Sequence, residues 1–129
     1  MIGVQRVDFV VVPTRDRDRA VKFYGETLGL SRNPLSSPNF PEFEAGNVTV
    51  ALVVPDEVGI PFSNLPPGQI AFRVPDVAAA RAELEAAGVE FGADTLDTGV
   101  CHMAWFTDPD GNGLMIHHRY APYSDGSQP

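Results

Sequence analysis

One cysteine, Cys101, is the only thiol in this chain. It cannot close an intramolecular disulfide, and it leaves no paired-cysteine zinc pattern to read. A reducing compartment suits such a chain, so a cytoplasmic location is expected. Long apolar runs are also lacking: none approaches the roughly 18 to 20 residues of a membrane span, and the N-terminus lacks the basic-then-apolar order of a signal peptide. Positive charge is scarce as well, with nine Lys and Arg against seventeen Asp and Glu and a net charge of -8. That balance repels phosphate backbones and anionic headgroups at long range, so neither nucleic acid nor a membrane is an expected partner.

What is present is ordinary globular material. The 129 residues are 43% hydrophobic and 20% charged, enough for one domain that builds a core without metal or disulfide staples. Val7 to Val12, β-branched and aromatic, reads as a mostly buried strand closed by Pro13. Asp16 is placed as an N-cap, and Ala20, Phe23, Tyr24, Thr27 and Leu28 recur at helical spacing up to Gly29. That pattern predicts an amphipathic helix of about three turns. Extended segments follow at Leu30 to Asn33 and Phe40 to Ala45, and a Gly46-Asn47 turn leads into Val48 to Val54.

The order then starts again. Pro55 to Gly68 holds four prolines and two glycines and reads as a linker. Gln69 to Val74 predicts a strand, Asp76 an N-cap, and Val77, Ala80, Leu84 and Ala87 a helix ending at Gly88. Val89 to Ala93, Cys101 to Thr107 and Leu114 to Arg119 complete the module as strands, with the turn Asp108-Pro109-Asp110-Gly111-Asn112 before the last. Asp16 and Asp76 lie sixty positions apart, each after a strand and before a helix. The organisation expected is α+β: two β-α-β-β-β modules, 4–54 and 69–119, joined by a linker at 55–68 within a domain at 1–120. Their strands form a curved mixed sheet around a cavity, with the helices outside. Residues 121–129 read as a flexible tail.

Two stretches carry a family resemblance. Val7-Asp8-Phe9-Val10 through Asp16, Ala20, Phe23-Tyr24 and Leu28-Gly29-Leu30 is similar to the opening strand, helix and Leu-Gly signature of the vicinal oxygen chelate superfamily, which includes glyoxalase I, bleomycin resistance proteins and extradiol dioxygenases. Phe106-Thr107-Asp108-Pro109-Asp110-Gly111-Asn112 resembles its closing turn. Both motifs specify the fold; neither is assigned chemistry. The resemblance implies homodimers, sometimes with exchanged modules. It also implies a divalent metal held by His or Gln on each module's first strand and Glu on each last strand, leaving open positions for vicinal substrate oxygens.

Here the implied ligand positions fall, by counting, on Phe9, Val50, Gln69 and Met115. One neutral amide would leave a desolvated divalent cation nearly uncompensated, at a cost of several kcal/mol, so no metal and no cofactor are expected. A relocated site would have to draw on Asp8, Cys101, His102, His117 and His118. Strand alternation sends His117 and His118, and likewise Cys101 and His102, to opposite faces.

The same alternation predicts the cavity lining. With Gln69 and Met115 inward, Phe9, Val11, Val50 and Leu52 face inward from the first module. From the second come Ala71, Arg73, Cys101, Met103, Trp105 and His117. Such a lining suits a small aromatic or apolar molecule: Trp105 and Phe9 to stack on it, Met103 and Met115 to adapt to it, and Arg73, Gln69 or His117 to orient it. Two function classes follow. One is a metal-free binding protein of the bleomycin-resistance kind, for which the acidic net charge favours a cationic ligand at long range. The other is a lyase, isomerase or dioxygenase with a displaced metal or with His117 as base. A partner-binding module has no positive feature in the sequence.

Overall fold

A computed structural model describes residues 1–129. The chain divides into two units, Met1–Ser63 and Asn64–Pro129, so the break falls inside the predicted linker. No helix is long and apolar enough to cross a membrane.

In the first unit, β1 (Phe9–Pro13) is followed by Asp16, whose carboxylate accepts the Arg19 N–H at 3.1 Å. This is the N-cap its position predicts, satisfying one of the orphan amides of the first turn. Helix α1 (Arg17–Lys22) then passes directly into a wider π turn, Phe23–Thr27, in which the Leu28 N–H reaches the Phe23 carbonyl at 2.9 Å. The single three-turn α-helix expected here is therefore corrected. The reason lies in two adjacent rings: Phe23 and Tyr24 point about 100° apart on an α-helix, yet both are buried, packed edge to face at 5.3 Å. A widened turn brings both inward, and Gly25 leaves room for Phe43, whose ring carbon lies 3.2 Å from where a Cβ would stand.

Strands β2 (Ser31–Arg32), β3 (Glu42–Glu44) and β4 (Thr49–Val53) complete a sheet of order β1-β4-β3-β2. Strand β1 lies parallel to β4, with Phe9 opposite Thr49 and Val11 opposite Ala51, while the other pairings are antiparallel. Val12, Val50 and Leu52 instead turn into the core with Tyr24 and Phe43, at 0–1% exposure. This corrects the face expected for Val50 and Leu52. A one-residue shift in register moves a whole strand's side chains to the other face.

The second unit repeats the plan. Strand β5 (Ile70–Arg73) precedes Asp76, which caps α2 (Val77–Ala86) by accepting the Ala79 N–H at 2.9 Å. Strands β6 (Leu96–Asp97), β7 (Cys101–Thr107) and β8 (Gly113–Arg119) give the order β5-β8-β7-β6, again with the first and last strands parallel. Ala104, Phe106, Leu114 and Ile116 are buried on the helix side, as are Val77 and Leu84 of α2. The expected strand at Val89 to Ala93 shrinks to one bridge, Phe91 to Phe106, and the ladder forms at Leu96–Asp97 instead. Arg81 of α2 explains the displacement: its guanidinium donates to the Ala93 carbonyl at 2.8 Å and lies 4.7 Å over the Phe91 ring, holding that segment against the helix.

The closing turn fastens this unit together. The Asp108 carboxylate accepts the N–H groups of Asp110 and Asn112 and the Asn112 side-chain amide, at 2.8–3.0 Å. Fully buried Asn112 in turn accepts the Leu65 N–H at 2.8 Å. Gly113 lies so close to the Pro66-Pro67 backbone that a Cβ would stand 2.0 Å from the Pro66 oxygen.

Candidate ligand-binding face

The second sheet has one face under α2 and one face away from it, and register decides which residues share the latter. Ala71 lies opposite Met115 and Arg73 opposite His117 across β5 and β8. Trp105 lies opposite Met115 and Met103 opposite His117 across β7 and β8. Gln69, whose N–H meets the Gly113 carbonyl at 3.2 Å, extends β5 in the same alternation. Gln69, Arg73, Met103, Trp105, Met115 and His117 therefore stand on one side of one sheet.

Trp105 and Met115 form the apolar centre of that side, and the backbone closes in on them. Gly68, at φ 69°, has Trp105 Nε1 3.0 Å and Met115 Cε 3.3 Å from the place a Cβ would occupy. Only glycine permits both that backbone angle and that approach. Trp105, Met103, Met115 and His117 are half-buried, and Gln69 and Arg73 are exposed. Leu96, opposite Met103, adds a further apolar side chain that sequence reasoning missed because it placed the strand too early.

In the first unit, Phe9 and Val11 are 54% and 43% exposed on the face away from α1, beside Thr49 and Ala51. Val50 is on the other side. Ala71 pairs with Met115 as Val11 pairs with Ala51, so the structural counterpart of Met115 is Ala51. The four positions where the resemblance implies metal ligands thus hold a phenyl ring, a methyl group, an amide and a thioether, with Gln69 as the one oxygen donor. These residues do not fit a divalent cation.

The remaining candidates scatter. Asp8 pairs with Arg6 at 2.9 Å, and Cys101 is buried with its sulfur 3.0 Å from the Thr98 hydroxyl. No group of three or more His, Cys, Asp or Glu side chains is placed to hold a metal ion. His102 and His118, however, face each other across β7 and β8 on the helix side, a pairing the sequence reading missed. His102 Nε2 lies 3.3 Å from Asp97, and its ring lies 4.8 Å from that of Tyr120, whose hydroxyl donates to Asp97 at 2.7 Å. The Gly99 N–H first, and then the Tyr120 hydroxyl, hold the Asp97 carboxyl below its ordinary range. The same bond to Asp97 raises the Tyr120 phenol. The imidazole oriented by a carboxylate is therefore His102, while His117 stands on the opposite face without such a partner.

Comparison with known proteins matches residues 6–116 to the model of the Glyoxalase/Bleomycin resistance protein/Dioxygenase superfamily. A protein of Mycolicibacterium smegmatis, itself uncharacterised, is 33% identical over 111 residues, covering 86% of this chain and 91% of that one. Among solved structures, TnmS3, an antibiotic binding protein from Streptomyces sp. CB03234, superposes with a TM-score of 0.75 at 24% identity, covering 92% of this chain and 99% of its own. Lactoylglutathione lyase from Agrobacterium tumefaciens superposes with a TM-score of 0.72 at 19% identity, covering 88% and 93%. At these identities the two structures speak for the fold alone, and a binder and an enzyme share it. With the family model spanning both β-α-β-β-β repeats, the chain belongs to the glyoxalase/bleomycin resistance protein/dioxygenase superfamily.

Proposed function

We propose that this protein binds a small, flat aromatic or apolar molecule without a metal, on the face that carries Trp105, Met103 and Met115. The observation that carries this reading is the composition of that face: the Trp105 indole and the Met115 thioether packed against the Gly68 backbone, with Met103, Gln69, Arg73 and His117 on the same side of the sheet. Aromatic and methionine side chains give a flat ligand large contact area and adaptable outline, and a few polar tips fix its orientation. Metal-free binding is supported by the donor set at Phe9, Ala51, Gln69 and Met115, since nothing there balances the charge of a cation. An antibiotic binding protein with this fold makes sequestration a use the fold supports. A homodimer is part of the proposal, supported by the exposed apolar edge formed by Val7, Phe9 and Val11.

Trp105, the one tryptophan of the chain, is the reporter. Titration with planar aromatic compounds is expected to quench or shift its emission saturably, and Trp105→Ala is expected to weaken binding measured by calorimetry at least about tenfold. A panel that leaves the emission unchanged removes the reading. Equilibrium dialysis against zinc, nickel, manganese and iron is expected to retain no stoichiometric ion; one ion held tightly per chain would overturn the metal-free part. The bound compound is expected to be recovered unaltered, whereas conversion that disappears in His117→Ala would replace binding by catalysis.

A further inference from the structure

The charge of the candidate face is opposite to that of the chain. Across the whole sequence acids outnumber bases seventeen to nine, which by itself favours cations at long range. On the side of the second sheet that carries Trp105, the register places Arg73 beside His117 and puts Arg119, two residues further along β8, opposite Cys101. No Asp or Glu of this sheet shares that side: Asp97, the acid in its strands, lies opposite His102 on the helix side. The two arginines differ in what they do. Arg119 is committed to the chain's own tail, donating to the Pro122 carbonyl at 2.9 Å and lying 4.8 Å over the Tyr123 ring. Arg73 is exposed and makes no hydrogen bond or ion pair with the protein.

An arginine on the same side of the sheet as an indole and two thioethers, paired with His117 of β8 and with no carboxylate of its own, is a fork of donors set at the edge of an apolar surface. A planar guanidinium matches a carboxylate or similar oxyanion with two parallel N–H···O bonds. Long-range attraction of cations by the net charge is screened within about 8 Å at physiological salt, so the local cations decide what docks.

We infer that the ligand class is an aromatic or flat apolar molecule bearing an oxyanion, its ring on Trp105 and its anionic group on Arg73. The inference rests on the binding role proposed above and narrows it. It is tested on the full chain by calorimetric titration with three probes of one shape: 2-naphthoate, 2-naphthamide and 2-naphthylmethylammonium. Naphthoate is expected to bind at least about tenfold more tightly than naphthamide, with the ammonium weakest. In Arg73→Gln the naphthoate-to-naphthamide ratio is expected to fall to about twofold or less. In Lys22→Gln, which removes an exposed cation of α1 remote in sequence from this sheet, the ratio is expected to be retained. Equal binding of naphthoate and naphthamide, tighter binding of the ammonium, or an equal loss of preference in Lys22→Gln would overturn the inference while leaving the face a binding surface. Absence of binding by all three probes would overturn both. Circular dichroism of Arg73→Gln keeps the comparison to folded protein, and Arg73→Lys, which keeps the charge but loses the fork, is expected to fall between.

Discussion

Asn112 shows how much one side chain carries in this molecule. It is fully buried, it donates to Asp108 and it accepts from Leu65, so it ties the proline-rich approach at 65–67 to the start of β8. Asn112→Leu keeps the approximate volume but leaves the Leu65 N–H without its acceptor, and a buried unsatisfied polar group costs about 1–3 kcal/mol. A lower urea midpoint with an unchanged slope is the expected result; an unchanged midpoint would mean that the approach segment is not held by this bond. The sequence made the turn visible through its proline and glycine. It did not reveal that the asparagine reaches back forty-seven positions, because nothing local in Asp-Pro-Asp-Gly-Asn specifies a distant partner. The same limit applied to His102, whose contact with Asp97 depends on a strand that the apolar pattern does not mark.

Among the elements, the two helix starts were legible because an N-cap is a local device: a short polar side chain, extended backbone, and an amide three residues on. Asp16 and Asp76 both act this way. Asp16→Ala and Asp76→Ala are each expected to destabilise the chain by about 1 kcal/mol. The two caps share no partner, so the double variant is expected to lose the sum, read from thermal or urea unfolding. A cap whose removal changes nothing would mean its helix is held by packing alone. The π turn at Phe23–Thr27 and the displacement of β6 to Leu96–Asp97 were not legible. Both are set by partners distant in sequence: Phe43 beside Gly25 in one case, and Arg81 holding Phe91 and Ala93 in the other.

For the whole molecule, the repeat was readable as an order of elements, and it recurs as two sheets with the same strand order and the same parallel closing pair. Strand β1 is an edge of the first sheet, with Phe9 and Val11 exposed on one side and Val4 and Val7 exposed in the segment before it. Such an edge is a template for pairing with another chain. Sedimentation is expected to give a dimer, and Phe9→Asp combined with Val11→Asp is expected to shift it to monomer; a wild-type monomer at micromolar concentration would remove this part of the proposal. What the sequence by itself determined was whatever depends on near neighbours: the strand and helix periods, the two caps, the turn residues, and the side chains at Phe9 and Met115 where the resemblance implies metal ligands. Only the tertiary structure decided which side each strand shows. Side chains alternate with a period of two, so the pairing of Val50 with Val10 rather than Val11 sent Val50 into the core and put Ala51 in its place. The same pairing rule set Arg73 beside His117 and Trp105 opposite Met115, giving the face a charge that composition alone points the other way.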